Sequence, residues 1–403
     1  MTGREDFLRG GTEALCEGVL EVTRAVQGVH EAVLDSVDCV APLSAPVRHT
    51  SRWVYAAIRG ATRVGGGAVS LGLALGRPAG GATPLRPWQQ ATLGACNAAF
   101  GDLLAEGGSP WALPMALCRD GEPLVLTREA LASRLPAPRG HVVVFLHGLG
   151  NTDASWLDAS GGSFGAALEA SRAGEGGCSA LALRYNTGVH LHENGRQLDA
   201  LLEALVEAWP VPLERLTLVG YSMGGLLARS AGHASRAHAR QWRRRLAGVA
   251  CIGSPHRGTL LERGGHLLTR ALGVLPHTRP VGLLGGRRSA GIKDLRHGSL
   301  AAGDWQGRHP DSCKAFEPQP VDWLEGVPYL LVATSVDPLG VAPLAETLGD
   351  GLVSRHSAHH PRVSRPEAPG QVTRVHLAGI GHLAQPHHPR VLAALQDWLA
   401  ARA

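Results

Sequence analysis

The chain has 403 residues, 44% hydrophobic and 18% charged, which is enough apolar side chain for at least one large core and too much for a disordered or low-complexity chain. The formal net charge is +5 while aromatic residues make up only 4%, and no Lys/Arg stripe interleaved with Phe or Tyr appears, so nucleic acid is not an expected partner. Seven scattered cysteines, Cys16, Cys39, Cys96, Cys118, Cys178, Cys251 and Cys313, form no C-x-x-C pair, which excludes a disulfide framework and indicates a reducing compartment.

Near the start, Glu13, Glu17 and Glu21 interrupt any apolar signal-peptide region, and nowhere do about 18 apolar residues run together. The expectation is a soluble cytoplasmic protein. Leu15, Val19, Val22, Val26, Val29, Val33 and Val37 recur in steps that place one stripe on a helix face. Residues 52–76 are helix-like and rich in small side chains, and 88–104 carry Leu93, Cys96, Phe100 and Leu104 at helical spacing. An all-helical N-terminal segment is therefore predicted over residues 1–106. It is expected to dock on the rest of the chain. A competing expectation is that 64–75, flanked by Arg59 and Arg63, lies peripherally on a membrane surface.

Beyond Gly107-Gly108-Ser109-Pro110 the pattern changes. Apolar runs at 115–118 and 123–126 flank the Asp120-Gly121 turn signal and predict a hairpin. Further runs at 141–146, 180–184, 216–219, 249–253, 329–333 and 374–377 alternate with helical patterns such as 197–209 and 226–239. Strands alternating with helices predict an α/β domain over 107–403, a mostly parallel sheet with helices on both faces. Residues 259–326 interrupt the rhythm and read as a cap insertion. Its many leucines either pack a local core or present an apolar face to a ligand. Two further clusters read as solvated surface: the run Arg236, Arg240, Arg243, Arg244, Arg245, with contact to anionic headgroups as the alternative, and His356, His359 and His360 in a proline-bearing loop with no Cys or carboxylate nearby. No metal and no cofactor are expected.

The chemistry concentrates in a few motifs. An apolar strand runs into Gly220-Tyr221-Ser222-Met223-Gly224 and then a helical pattern. This is the G-x-S-x-G form in which a serine sits on a strained strand-to-helix turn and the next N–H can meet an oxyanion. Upstream, the strand at 141–146 ends in His147-Gly148-Leu149-Gly150. With these elements the chain resembles the α/β-hydrolase superfamily, in particular bacterial lipases and esterases. The segment Gly253-Ser254-Pro255-His256-Arg257-Gly258-Thr259 is similar to one in those lipases and in the glycosylphosphatidylinositol inositol-deacylase domain, where it leads into the cap.

The resemblance covers about 113–403 and implies an α/β-hydrolase fold with a Ser, acid, His order along the chain. It assigns the nucleophile to Ser222, the base to His382 in Gly381-His382-Leu383, and the oxyanion donors to the N–H groups of Leu149 and Met223. For the acid it favours Asp350, in Gly349-Asp350-Gly351-Leu352-Val353, over Asp337, which lies nearer the end of the preceding strand. His147 is structural in this reading, and so are Ser254 and His256. Secreted lipases carry a calcium-site aspartate two residues after the histidine, where this chain has Ala384. The implied function is a serine esterase or lipase that cleaves small-molecule or lipid esters through an acyl-enzyme. Alternatives are an acyltransferase or thioesterase with the same triad, and an idle hydrolase scaffold used for binding.

Overall fold

The computed structural model describes residues 87–109, 111–158, 160–171, 177–259, 289–307, 317–336 and 349–402. The predicted helical stretches before Pro87, most of the leucine-rich part of the cap, and Asp337 lie outside these residues. In chain order the elements are α1 (Pro87–Glu106), β1 (Ala116–Arg119), β2 (Glu122–Pro123), α2 (Arg128–Arg134), β3 (His141–Leu146), α3 (Phe164–Ser171), β4 (Cys178–Arg184), α4 (Leu191–Ala208), β5 (Arg215–Tyr221), α5 (Met223–Ala234), α6 (Gln241–Arg245), β6 (Leu246–Ile252), α7 (Ala290–His297), β7 (Tyr329–Ser335), α8 (Arg355–His359), β8 (Val372–Ala378) and α9 (Pro389–Ala400).

Eight strands form one sheet in the order β2-β1-β4-β3-β5-β6-β7-β8. Strands β3 to β8 pair in parallel, and β1 lies antiparallel to both β2 and β4. The predicted Asp120-Gly121 turn joins β1 to β2, with both residues at positive φ. From β4 onward the order, with β4 and β3 exchanged and β5 to β8 following in sequence, is that of the α/β-hydrolase fold, while at the edge β1 rather than β2 lies against β4.

The near-continuous apolar character of the central strands follows from burial on both faces. In β3, Val142, Val144 and Leu146 face a core shared with Leu198, Leu202 and Leu205 of α4 and Leu226 and Leu227 of α5. Val143 and Phe145 face the other side, with Phe164 and Leu168 of α3 and Leu395 and Trp398 of α9. Truncating one such fully buried leucine to alanine costs about 2 to 5 kcal/mol. Capping bounds the helices: Thr127 Oγ1 accepts the Ala130 N–H at the start of α2, and α9 opens on Pro389, whose missing N–H is no loss there.

The expected boundary at 106/107 falls at the end of a helix that is joined to the sheet. In α1 the buried Asn97 donates to the Trp111 carbonyl at 2.8 Å and accepts the Leu113 N–H at 2.9 Å. Asn186, just past β4, donates to the Gly101 carbonyl at 2.8 Å. The arginine run around α6 precedes β6, so it sits at the end of the sheet opposite the C-terminal tips of the strands. Arg236 and Arg240 there are tied to the Asp322 carbonyl and to Asp199. Among the described residues no helix is long and apolar enough to cross a membrane.

Candidate active site

Ser222 occupies the turn between β5 and α5 with φ 52° and ψ −118°. A serine in this left-handed region is strained by about 1 to 3 kcal/mol, and such strain persists only where the surroundings over-determine it. Two glycines make room for it. A Cβ on Gly224 would lie 2.2 Å from the Leu146 carbonyl oxygen, and one on Gly148 would lie 3.1 Å from Cβ of Ser222. The strand, the elbow and the loop after β3 are thus in backbone contact.

The C-terminal tips of β5, β7 and β8 bring three side chains together. Ser222 Oγ lies 3.0 Å from His382 Nε2, and His382 Nδ1 lies 2.7 Å from Asp350 Oδ2. All three residues are buried. The carboxylate also accepts the backbone N–H groups of Leu352 and Val353 on Oδ1, at 3.0 and 2.8 Å. With Asp350 acting as acceptor, Nδ1 of His382 carries the proton and Nε2 is free to accept the serine hydroxyl. The backbone adds a further lock, since the His382 N–H donates to the Asp350 carbonyl at 3.0 Å and the Tyr221 hydroxyl donates to the His382 carbonyl at 3.1 Å.

Opposite the elbow runs the 147–152 loop. No acceptor for the Leu149 N–H is found among the described residues. Met223 is the first residue of α5, so its N–H has no partner within the helix. His147 is fully enclosed: its Nδ1–H donates to the Gly148 carbonyl at 2.9 Å, its ring stacks on Tyr185, and the Tyr185 hydroxyl donates to its carbonyl. Burial pushes its pKa down to about 4. It therefore stays neutral and braces the loop.

The other sequence candidates lie elsewhere. Ser254 Oγ is buried without a partner among the described residues and packs on the bare face of Gly225 in α5. His256 Nδ1 lies 3.3 Å from Arg229, and burial holds this histidine well below its ordinary pKa. The two share a backbone turn and no side-chain bond. His359 donates its Nε2–H to the Val375 carbonyl, and the His356 and His360 rings lie over one another. Among the described residues no three His, Cys, Asp or Glu side chains converge as a metal site.

Sequence reasoning missed Gln385. Fully buried, it donates to Asp350 Oδ2 at 2.7 Å and to Thr334 Oγ1 at 2.6 Å. No local pattern signals it, because both partners are distant in sequence. A cavity of about 210 Å3 opens over Ser222 and His382, walled by Leu149, Ile292, Leu295, Leu352, Val353 and Leu383. Its lining suits an apolar chain ending at a polar reacting group.

No protein-family model and no curated protein matches the chain. Among solved structures it is similar to the mature lipase BlEst2 of Bacillus licheniformis, at 19% identity over 64% of this chain and 89% of that one, with a TM-score of 0.38. It is also similar to lipase B of Aspergillus fumigatus, at 14% identity over 64% and 52% of the two chains and a TM-score of 0.41. Phospholipase PlaB of Legionella pneumophila is a third, at 14% identity over 65% and 60% and a TM-score of 0.40. Likeness at this level concerns the fold alone.

Proposed function

We propose that the protein is a serine ester hydrolase, an esterase or lipase, with Ser222 as nucleophile, His382 as general base and Asp350 as the acid that orients it. The observation that carries this reading is the unbroken relay from Ser222 Oγ through His382 to Asp350, set in an apolar cavity. Ser222 Oγ attacks the ester carbonyl as its proton passes to His382 Nε2. The imidazolium is held by Asp350, and the oxyanion is met by the Leu149 and Met223 N–H groups. Collapse expels the alcohol, which takes the proton from His382, and leaves the acyl group on Ser222. Water, deprotonated by His382, then releases the acid. Each step uses groups of the chain and calls for no cofactor.

The cavity wall favours esters of apolar acids, whether small molecules or lipids. Of the segment at 253–259, Thr259 lines the cavity beside Ser222. Purified protein is expected to label at Ser222 with a fluorophosphonate and to cleave p-nitrophenyl esters, and Ser222→Ala is expected to do neither while keeping its circular dichroism spectrum. Full activity in Ser222→Ala would overturn the assignment. Adding a short alcohol separates the alternatives in the same assay: ester product in place of acid would make the enzyme an acyltransferase.

A further inference from the structure

Helix α1 lies before the strand and helix alternation begins, and its sequence pattern groups it with the N-terminal segment. Its middle turns nevertheless press on the loop that carries the Leu149 N–H. A Cβ on Gly94 would lie 2.4 Å from the Gly150 carbonyl oxygen, 3.0 Å from its carbonyl carbon and 3.3 Å from the carbonyl carbon of Asn151. Backbone meets backbone here, with no side chain in between to yield. One turn earlier, Gln90 Oε1 accepts the Thr152 hydroxyl at 3.1 Å. From the other side Thr187 Oγ1 accepts the Gly150 N–H at 3.3 Å. The loop bearing Thr187 is itself held by α1, since Asn186 donates to the Gly101 carbonyl and a Cβ on Gly188 would lie 2.2 Å from the Asn97 carbonyl oxygen.

The far end of α1 reaches the cavity wall. Asp102 Oδ2 accepts the Ala290 N–H at 2.9 Å, and the Ala98 carbonyl accepts the Ser289 hydroxyl, which together seat the start of α7. That helix supplies Ile292 and Leu295 to the cavity.

We infer that α1 belongs to the catalytic apparatus, and that Gly94, assisted by Gln90, is a positioning residue that sets the Leu149 N–H at the oxyanion. The inference rests on the ester-hydrolase reading. Glycine is among the least favourable residues for a helix interior, so alanine at 94 would improve the helix taken alone. What it cannot do is leave Gly150 in place. A donor aimed at the oxyanion acts in the transition state far more than in the bound substrate, so its displacement lowers kcat and leaves KM.

In the full chain, Gly94→Ala is expected to lower kcat on p-nitrophenyl butyrate by about tenfold to a hundredfold, less than or equal to the loss of a whole oxyanion donor. KM should stay within about twofold. Affinity for an alkyl boronic acid, whose tetrahedral adduct on Ser222 places an oxygen in the oxyanion position, should fall in parallel with kcat. Asp102→Ala loosens the same helix at its α7 end and is expected to raise KM while kcat holds within about threefold. Should Gly94→Ala fail to fold, Thr152→Val removes only the bond to Gln90 and is expected to lower kcat by about threefold to tenfold. Unchanged kcat and boronate affinity in Gly94→Ala, or in Thr152→Val where the first does not fold, overturn the inference and leave the ester reading standing. Equal losses of kcat in Gly94→Ala and Asp102→Ala also overturn it, because they would reflect seating of the helix in general. Wild-type protein that neither labels with fluorophosphonate nor cleaves esters removes both.

Discussion

Gln385 and His382 share one oxygen: Asp350 Oδ2 accepts Nε2–H of the glutamine at 2.7 Å and Nδ1–H of the histidine at 2.7 Å. The glutamine thus holds the same carboxylate oxygen that the imidazole uses. Gln385→Met keeps the volume and removes the donor, and kcat is expected to fall about tenfold with little change in KM. Unchanged kcat in Gln385→Met, read from steady-state kinetics, would show that Gln385 does not act through Asp350.

The strained turn predicts a trade between activity and stability. Ser222→Gly relieves a positive φ that glycine adopts freely. Urea unfolding is expected to show about 1 kcal/mol of added stability, less the greater freedom that glycine gives the unfolded chain, together with loss of ester cleavage. A destabilised Ser222→Gly would mean that the serine side chain contributes more to packing than to strain.

Asp350→Asn is expected to lower kcat by at least about a hundredfold, since an amide cannot hold the required tautomer of His382. Asp337→Asn is expected to change it by less than about threefold. The reverse ranking, read from steady-state kinetics of the two purified variants, would move the acid to Asp337.

Acid should unfold this protein through its buried histidines. Burial lowers His359 to about 4, reinforced by Arg355, His360 and Arg374 and opposed by the bond to the Val375 carbonyl. His147 is likewise lowered to about 4 by burial. In the unfolded chain both take up protons from about pH 6.5 downward, while in the folded chain they do so only near 4. Their contribution is complete above about pH 6.5 and is lost as pH falls toward 4. His359→Gln keeps a donor for Val375 and removes the titration, so its Tm should fall less between pH 7 and pH 4.5 than that of the wild type. Parallel Tm curves would assign the acid sensitivity to other groups.

Much of this architecture was legible in the sequence because its signals are local. The run at 141–146 is β3 to the residue, 329–333 lies inside β7, and the Asp120-Gly121 turn sits where the hairpin closes. The motifs around Ser222, Asp350 and His382 named three side chains that the structure brings together, because a strand-to-helix turn with glycine on either side has few other uses. Contacts between distant segments left no such mark. Nothing in the helical spacing of 88–104 indicates that Gly94 faces Gly150 rather than another helix, and Gln385 meets Asp350 and Thr334 across separations of 35 and 51 residues. Periodicity reports which face is apolar. It is silent on which partner covers that face.

The 160-position separation of Ser222 and His382 along the chain also orders events in time. Synthesis delivers the elbow, its glycines and the 147–152 loop long before β8, which among the described residues pairs with β7 alone, at the edge of the sheet. Until that strand zips onto the sheet, Ser222 lacks the imidazole of His382 that lies 3.0 Å from it in the folded chain. If the proposed mechanism holds, hydrolytic competence would arrive only with the completion of folding.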